Sequence, residues 1–173
     1  LPPEDLPRVT EGRFGNGFTF ILLPAFSAAH SRYAVAGPTY RGLYTQPVIG
    51  WVTGVELSDV GRLSPKVFDG RFGTAHDNAA VLMHVSLPDQ IHAQLDIVNL
   101  FTQGEGDVIS FDEGGFSATV CRVNGAPTDL ADFVRSRLID TRLPLVADYA
   151  GAMINVSFQS VQDGVVKFYA PVV

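Results

Sequence analysis

The stretch 107–149 constrains the fold most, because strand patterns and turn residues alternate there at short intervals. Strands are predicted at 107–111 and 116–123, which are bounded by glycine and acidic turn residues. A corner with the sequence Asn-Gly-Ala-Pro follows at 124–127, and residues 128–138 then carry apolar side chains at helical spacing. This order predicts two short strands and one short helix in close succession.

The corner itself is predicted to turn a strand directly into that helix. Gly125 can adopt a backbone conformation that other residues resist, and Pro127 suits the entry to a helix. Thr128 is the expected N-cap. These residues are interpreted as fold-setting and not as a functional site.

Strand patterns recur through the rest of the chain. The predicted strands lie at 18–24, 48–55, 66–68, 79–87, 91–101, 152–161 and 165–172. Turns at 88–90 (Pro-Asp-Gln) and 162–164 (Gln-Asp-Gly) predict two antiparallel hairpins. Ser27 is predicted to cap a short helix that ends before Gly37-Pro38. The prediction is an α+β fold: a mainly antiparallel mixed sheet with one or two covering helices.

Length and composition favour one folded domain. The chain has 173 residues, 46% of them hydrophobic and 17% charged. Residues 1–16 are expected to form an irregular lead-in, because three prolines disfavour regular structure there. Residues 17–173 are expected to form a single α+β domain, either a stand-alone relative or a fragment of a larger protein.

Charge and cysteine content exclude several classes of function. The net charge is −6 and the basic residues are scattered, which argues against a nucleic-acid surface. No apolar run approaches the roughly 20 residues of a membrane span. Cys121 is the one cysteine, which excludes an intrachain disulfide and a cysteine-based metal cluster. A reducing, cytoplasmic location is expected.

A longer pattern extends from residue 48 to residue 146. Its parts are Ile-Gly-Trp-Val-Thr-Gly at 49–54, Val-Phe-Asp-Gly-Arg at 67–71, a hydrophobic strand at 80–87, the corner, the helix, and Leu-Pro-Leu at 143–145. In this order it resembles the FIST sensory domain of bacterial signalling proteins, although the glycine pair typical of the upstream strand is replaced around Trp51. The resemblance implies small-molecule sensing, with an amino-acid-like ligand or haem, and a signalling partner protein or a homodimer.

Six residues are predicted to line a ligand pocket. Aromatic residues beside glycine-rich backbone could form its wall, and a carboxylate and neutral amides could orient a small polar ligand. These residues are Tyr40, Tyr44, Trp51, Asp148, Tyr149 and Asn155. The alternative interpretation places the aromatic residues in the core and the polar ones on an outward sheet face.

Two other functions are open at this stage. His84 and His92 fall on the less apolar faces of the first hairpin, where diagonal pairing could bring them to one metal ion. Separately, His76 and Asp77 could act as base and orienting residue. The first alternative is therefore a hydrolase-type or metal-dependent enzyme that uses His76 and Asp77, or His84 and His92. The second alternative is an interaction module that assembles through exposed sheet edges.

Overall fold

The computed structural model describes residues 1–9, 15–41, 46–149 and 151–172. Their contacts divide the chain into two compact units, Leu1–Leu95 and Asp96–Val173. Strands hold 41% of the residues and helices 16%, so the expected sheet-rich fold with few helices is confirmed. The assignment of 17–173 to a single domain stays a prediction.

The regular elements are short. The described helices are α1 (Leu6–Val9), α2 (Ala28–Ala36) and α3 (Leu130–Ser136). The described strands are β1 (Gly17–Pro24), β2 (Val48–Thr53), β3 (Val67–Asp69), β4 (Thr74–His76), β5 (Val81–Ser86), β6 (Ile109–Ser110), β7 (Gly115–Ala118), β8 (Val120–Val123), β9 (Ala126–Asp129), β10 (Leu145–Tyr149), β11 (Ala152–Val156), β12 (Phe158–Gln162) and β13 (Val165–Val172). Single-turn 3-10 helices lie at Pro3–Asp5, Gly37–Thr39 and Leu57–Asp59.

These strands form several small sheets where the sequence predicted one. In the first unit the orders are β2-β1-β5 and β3-β4, and in the second they are β6-β8-β9, β10-β11 and β12-β13-β7. The pairing of β1 with β2 is parallel, and the other ladders between these strands are antiparallel.

The first unit is built around β1, the central strand of its sheet. Ile21 and Leu23 on one face of β1 are buried, and they pack in a core with residues of the helices and loops beside them: Leu6, Ala29, Tyr40 and Ala80. Helix α2 begins after Ser27, whose hydroxyl accepts a hydrogen bond from the His30 amide at 3.1 Å, as the sequence predicted.

The irregular lead-in predicted for residues 1–16 is wrong in part. Residues 3–9 form a 3-10 turn and α1, and the Leu6 side chain is fully buried in the first core. Proline is tolerated in the first turn of a helix because the amides there lack intrahelical partners. Burial of Leu6 stabilises this short segment, which its composition alone disfavours.

The second unit has its own core under α3. The helix contributes Leu130, Ala131 and Val134, and the strands contribute Cys121, Val156, Phe158, Val166, Phe168 and Val172. Burial and the negative charge of Asp129 raise the pKa of the Cys121 thiol, which fits a structural cysteine. The predicted closing hairpin is confirmed between β12 and β13, with positive φ at Asp163 and Gly164.

The predicted strand-to-helix corner is wrong. Asn124 and Gly125, with φ of 51° and 84°, form a two-residue turn that joins β8 to β9 as a hairpin. Pro127 therefore lies in β9. The side chain of Asp129, and not that of Thr128, caps α3 by accepting from the Asp132 amide at 2.8 Å. Asn-Gly is the strongest short hairpin signal, and it outweighs the helix pattern that follows.

Three of the predicted strands also differ from the structure. Residues 91–101 carry no strand, and β5 pairs with β1 instead of a following partner. The predicted strand 152–161 is interrupted at Ser157, so that β11 pairs with β10 while β12 pairs with β13. Residues 116–123 likewise divide between β7 and β8, which belong to different sheets.

Candidate functional site: the outer face of the first sheet

The two faces of the sheet β2-β1-β5 differ in what covers them. One face carries Ile21 and Leu23 and packs into the first core. Side chains alternate along a strand, so the register places a second set on the opposite side. Phe20 pairs with Ile49 and Met83, while Leu22 pairs with Trp51 and Val81. We call this set the outer face: Phe18, Phe20, Leu22, Ile49, Trp51, Val81, Met83 and Val85.

The outer face is apolar and substantially exposed. Trp51 exposes 74% of its surface and Met83 55%, and Phe20 and Ile49 are also exposed. None of the side chains in the set is charged. At the 150–250 Å² typical of a large side chain, these four residues present roughly 450 Å² of apolar surface. This is the size of the largest apolar patch on a typical monomer, and such patches are often functional.

The sequence of β1 is more apolar than a strand with one exposed face requires. Strands of all-parallel sheets are covered on both faces, and they are rich in apolar residues for that reason. β1 fits this pattern, since Phe-Thr-Phe-Ile-Leu-Leu-Pro is almost continuously apolar. Within the described residues, the face that carries Phe20 and Trp51 is left partly open. The composition of β1 is therefore that of a strand with both faces covered.

Strand β5 turns its more apolar side away from the first core. Side chains alternate along the strand, and the uniformly apolar side with Met83 faces outward. The less apolar side faces inward, where Leu82 packs on the first core. On the same side, Nδ1 of His84 lies 2.8 Å from the hydroxyl of Thr19, which is itself buried. This hydrogen bond joins His84 to Thr19 on the side of the sheet that faces the core.

The aromatic residues predicted to line one pocket lie on opposite sides of this sheet. Tyr40 is only 5% exposed and belongs to the first core, against the inner face, whereas Trp51 lies on the outer face. The ring of Tyr33 meets that of Tyr40 edge to face, with centroids 6.3 Å apart. Tyr44 lies outside the described residues. A role of these residues in ligand binding stays a prediction.

The remaining predicted pocket residues belong to the second unit. The Asp148 carboxylate accepts a hydrogen bond from the Gly151 amide at 2.7 Å, which orders the turn between β10 and β11. Asn155 accepts from the side chain of Asn99 at 2.8 Å. Tyr149 is partly exposed near the same turn. Asp148 and Asn155 thus have local structural partners, and their predicted contacts with a ligand remain untested.

The residues considered for metal binding or catalysis are dispersed. His92 is exposed in a segment without strand structure, so the ladder that was to bring it beside His84 is not formed. His76 ends β4, with Nε2 3.1 Å from the Thr74 hydroxyl, and Asp77 is exposed. In the described part of the chain, no three His, Cys, Asp or Glu residues are grouped as a metal site would require. An enzymatic role for these residues remains a prediction.

Sequence comparison places the whole chain in one family. A family model described as "Family of unknown function (DUF6976)" matches residues 1–173. The chain belongs to the DUF6976 family. No curated protein and no solved structure gives a match. The resemblance of this DUF6976 chain to the FIST sensory domain therefore stays a prediction.

One further observation concerns membranes. In the parts of this DUF6976 chain that the structure describes, no helix combines the length and apolar character needed to cross a bilayer. The apolar residues of the outer face lie on strands and not on such a helix.

Sequence reasoning found only one residue of the outer face as a candidate. Trp51 was selected for a pocket, while Phe20, Ile49 and Met83 were interpreted as ordinary strand residues. The available signal was the all-apolar side of β5 combined with the continuous apolar run in β1. Together these patterns provide more apolar surface than one core-facing side of a small sheet needs.

Proposed function

We propose that this DUF6976 chain is an interaction module that binds a protein partner on the outer face of its first sheet. The observation that carries the proposal is an uncharged, apolar surface on three paired strands, with Trp51 exposed in it. Tryptophan, phenylalanine and methionine are enriched at the centres of protein interfaces. The surface proposed here is a sheet face, where the sequence had suggested sheet edges.

The rigidity of the sheet supports this role. The outer face is built on strands held by ladders on both sides of β1, so its side chains are positioned before a partner arrives. Gly50 allows the close approach of β2 to β1, because a side chain at that position would overlap the carbonyl oxygen of Ile21. The neighbouring Ile49 and Trp51 are thereby held beside Phe20 and Leu22.

A photo-crosslinking residue at position 51 tests the proposal in the source cell. Position 72 provides a matched control, because Phe72 is 73% exposed in the turn between β3 and β4 of the same unit and is not part of the outer face. We expect a discrete crosslinked product from position 51 and none from position 72. Absence of a product from position 51, or the same products from both positions, would contradict the proposal.

A second candidate function rests on Tyr40. Its hydroxyl is buried and has no hydrogen-bond partner among the described residues. Buried polar groups are nearly always satisfied, so an unpaired one is a candidate contact for a small polar ligand. Burial and the neighbouring Tyr40 raise the pKa of Tyr33, which keeps the Tyr33 hydroxyl neutral and able to donate. Small-molecule binding beside Tyr40 is therefore proposed as an alternative.

A further inference from the structure

We infer that the partner of the outer face is a second copy of this chain, and this inference rests on the proposed function. Two copies would pack their outer faces together and form a two-layer sandwich across a twofold axis. An interface of this kind uses the same patch on both subunits, so the patch must be complementary to itself. A surface without charge meets this condition, because packing it against its own copy brings no like charges together.

The absence of charge matters because the chain as a whole is acidic. With a net charge of −6, two copies repel each other over most orientations. The outer face contains only aliphatic, aromatic and methionine side chains. Contact through this face therefore places no like charges opposite one another at its centre. A strongly basic partner would gain nothing from this patch, since it offers no carboxylate for pairing.

The dimensions of the face also suit a sheet of equal size. Three strands spaced about 4.8 Å apart, with about 3.3 Å per residue, give a surface of about 15 by 20 Å. Sheets that pack face to face lie about 10 Å apart, and their side chains interdigitate. The large Trp51 and Met83 lie on the two edge strands, on either side of Phe20. A twofold-related copy therefore offers projecting side chains of the same kind to fill the intervening spaces.

The buried area predicts a dimer of limited stability. Covering the four most exposed side chains on both copies would remove roughly 900 Å² from water, and their partly buried neighbours would add to this. Stable interfaces bury about 1,200–2,000 Å² in total, and weaker, transient ones lie below that range. The dimer is therefore expected to be weak and to dissociate on dilution.

Sedimentation equilibrium of the full chain tests this inference. Between about 1 and 500 µM, we expect the mass to rise from 18.6 kDa towards twice that value. Trp51→Glu introduces a charge into the centre of the contact, so we expect the association constant to fall at least 10-fold, by about 1.4 kcal/mol or more. Met83→Glu on the opposite edge strand should have the same effect, while Phe72→Glu, with an equal added charge outside the face, should dimerise like the unmodified chain.

These experiments distinguish failure of the second-copy inference from failure of the proposed interaction module. A mass of 18.6 kDa at every concentration overturns the second-copy inference, as does undiminished association of both outer-face variants. The unmodified chain gives this answer even if a variant folds poorly. A crosslink from position 51 to a different protein would leave the interaction module in place and reject only the second copy. A crosslinked product of twice the chain mass would support both.

Discussion

Replacing Gly50 with alanine should destabilise the first unit by about 3 kcal/mol or more, which is at the upper end of single-substitution effects. A methyl group at Gly50 would overlap the carbonyl oxygen of Ile21 and lie 2.6 Å from the Cγ2 atom of the same residue. The carbonyl belongs to the backbone of β1 and cannot move without separating β1 from β2. The substitution is therefore expected to disrupt the parallel ladder and with it the outer face.

Gly54→Ala is the matched control for this prediction. Gly54 follows the same strand, and a methyl group there would have no atom within 4 Å. Urea unfolding followed by circular dichroism should show a large fall in the midpoint for Gly50→Ala and little change for Gly54→Ala. Equal midpoints for the two variants would contradict the close approach of β1 and β2.

Replacing Tyr40 with phenylalanine should raise the free energy of unfolding by about 1–3 kcal/mol, the cost of an unsatisfied buried hydroxyl. The ring remains in the core and keeps its contact with Tyr33, so only the unpaired oxygen is lost. Tyr169→Phe is the control, because Tyr169 is exposed on β13. A loss of stability in Tyr40→Phe would show that the hydroxyl has a structural partner.

The same variant tests the alternative ligand-binding function. A thermal-shift screen of the unmodified chain with amino acids and haem should find a compound that raises the melting temperature. Tyr40→Phe should be more stable alone but should lose most of that shift. If no compound stabilises the unmodified chain, or if the shift is retained in Tyr40→Phe, the proposed ligand contact at Tyr40 is rejected.

The elements that the sequence predicted well are those fixed by local interactions. Ser27 caps α2 by accepting a hydrogen bond from the nearby His30 amide. Asp163 and Gly164 form a tight turn because both residues tolerate positive φ. β1 was predicted because its apolar run is unambiguous. Such signals depend on a few consecutive residues, so they can be recognised without knowledge of the tertiary fold.

The errors arise where two local signals compete. Asn124-Gly125 favours a hairpin, while the apolar spacing after Thr128 favours an early helix. In the structure the hairpin takes residues up to Asp129, and α3 begins at Leu130. Similarly, Pro88 marks a real turn, but the apolar segment after it forms no strand, and β5 pairs with the distant strand β1. Strand pairing of this kind depends on distant residues.

The candidate site was the least predictable part, because it depends on which side of a strand faces the core. Ala80 and Leu82 take the inner positions at β5 and leave Met83 outside. A sheet face becomes buried through the elements packed on it, and α2 covers one side of β1 in this unit. The alternation of side chains within one strand shows which residues share a face, but it does not show which face packs on the core.

Acrylamide quenching of Trp51 in the unmodified chain tests the central claim most directly, because Trp51 is the one tryptophan of the sequence. In dilute solution we expect its fluorescence to be quenched almost as efficiently as that of free tryptophan, since 74% of its surface is exposed. As the concentration rises, quenching should weaken and the emission should shift to shorter wavelength as the second copy covers the outer face. Weak quenching that is unchanged from the most dilute to the most concentrated sample would show that Trp51 is already buried in the single chain, and would contradict the account.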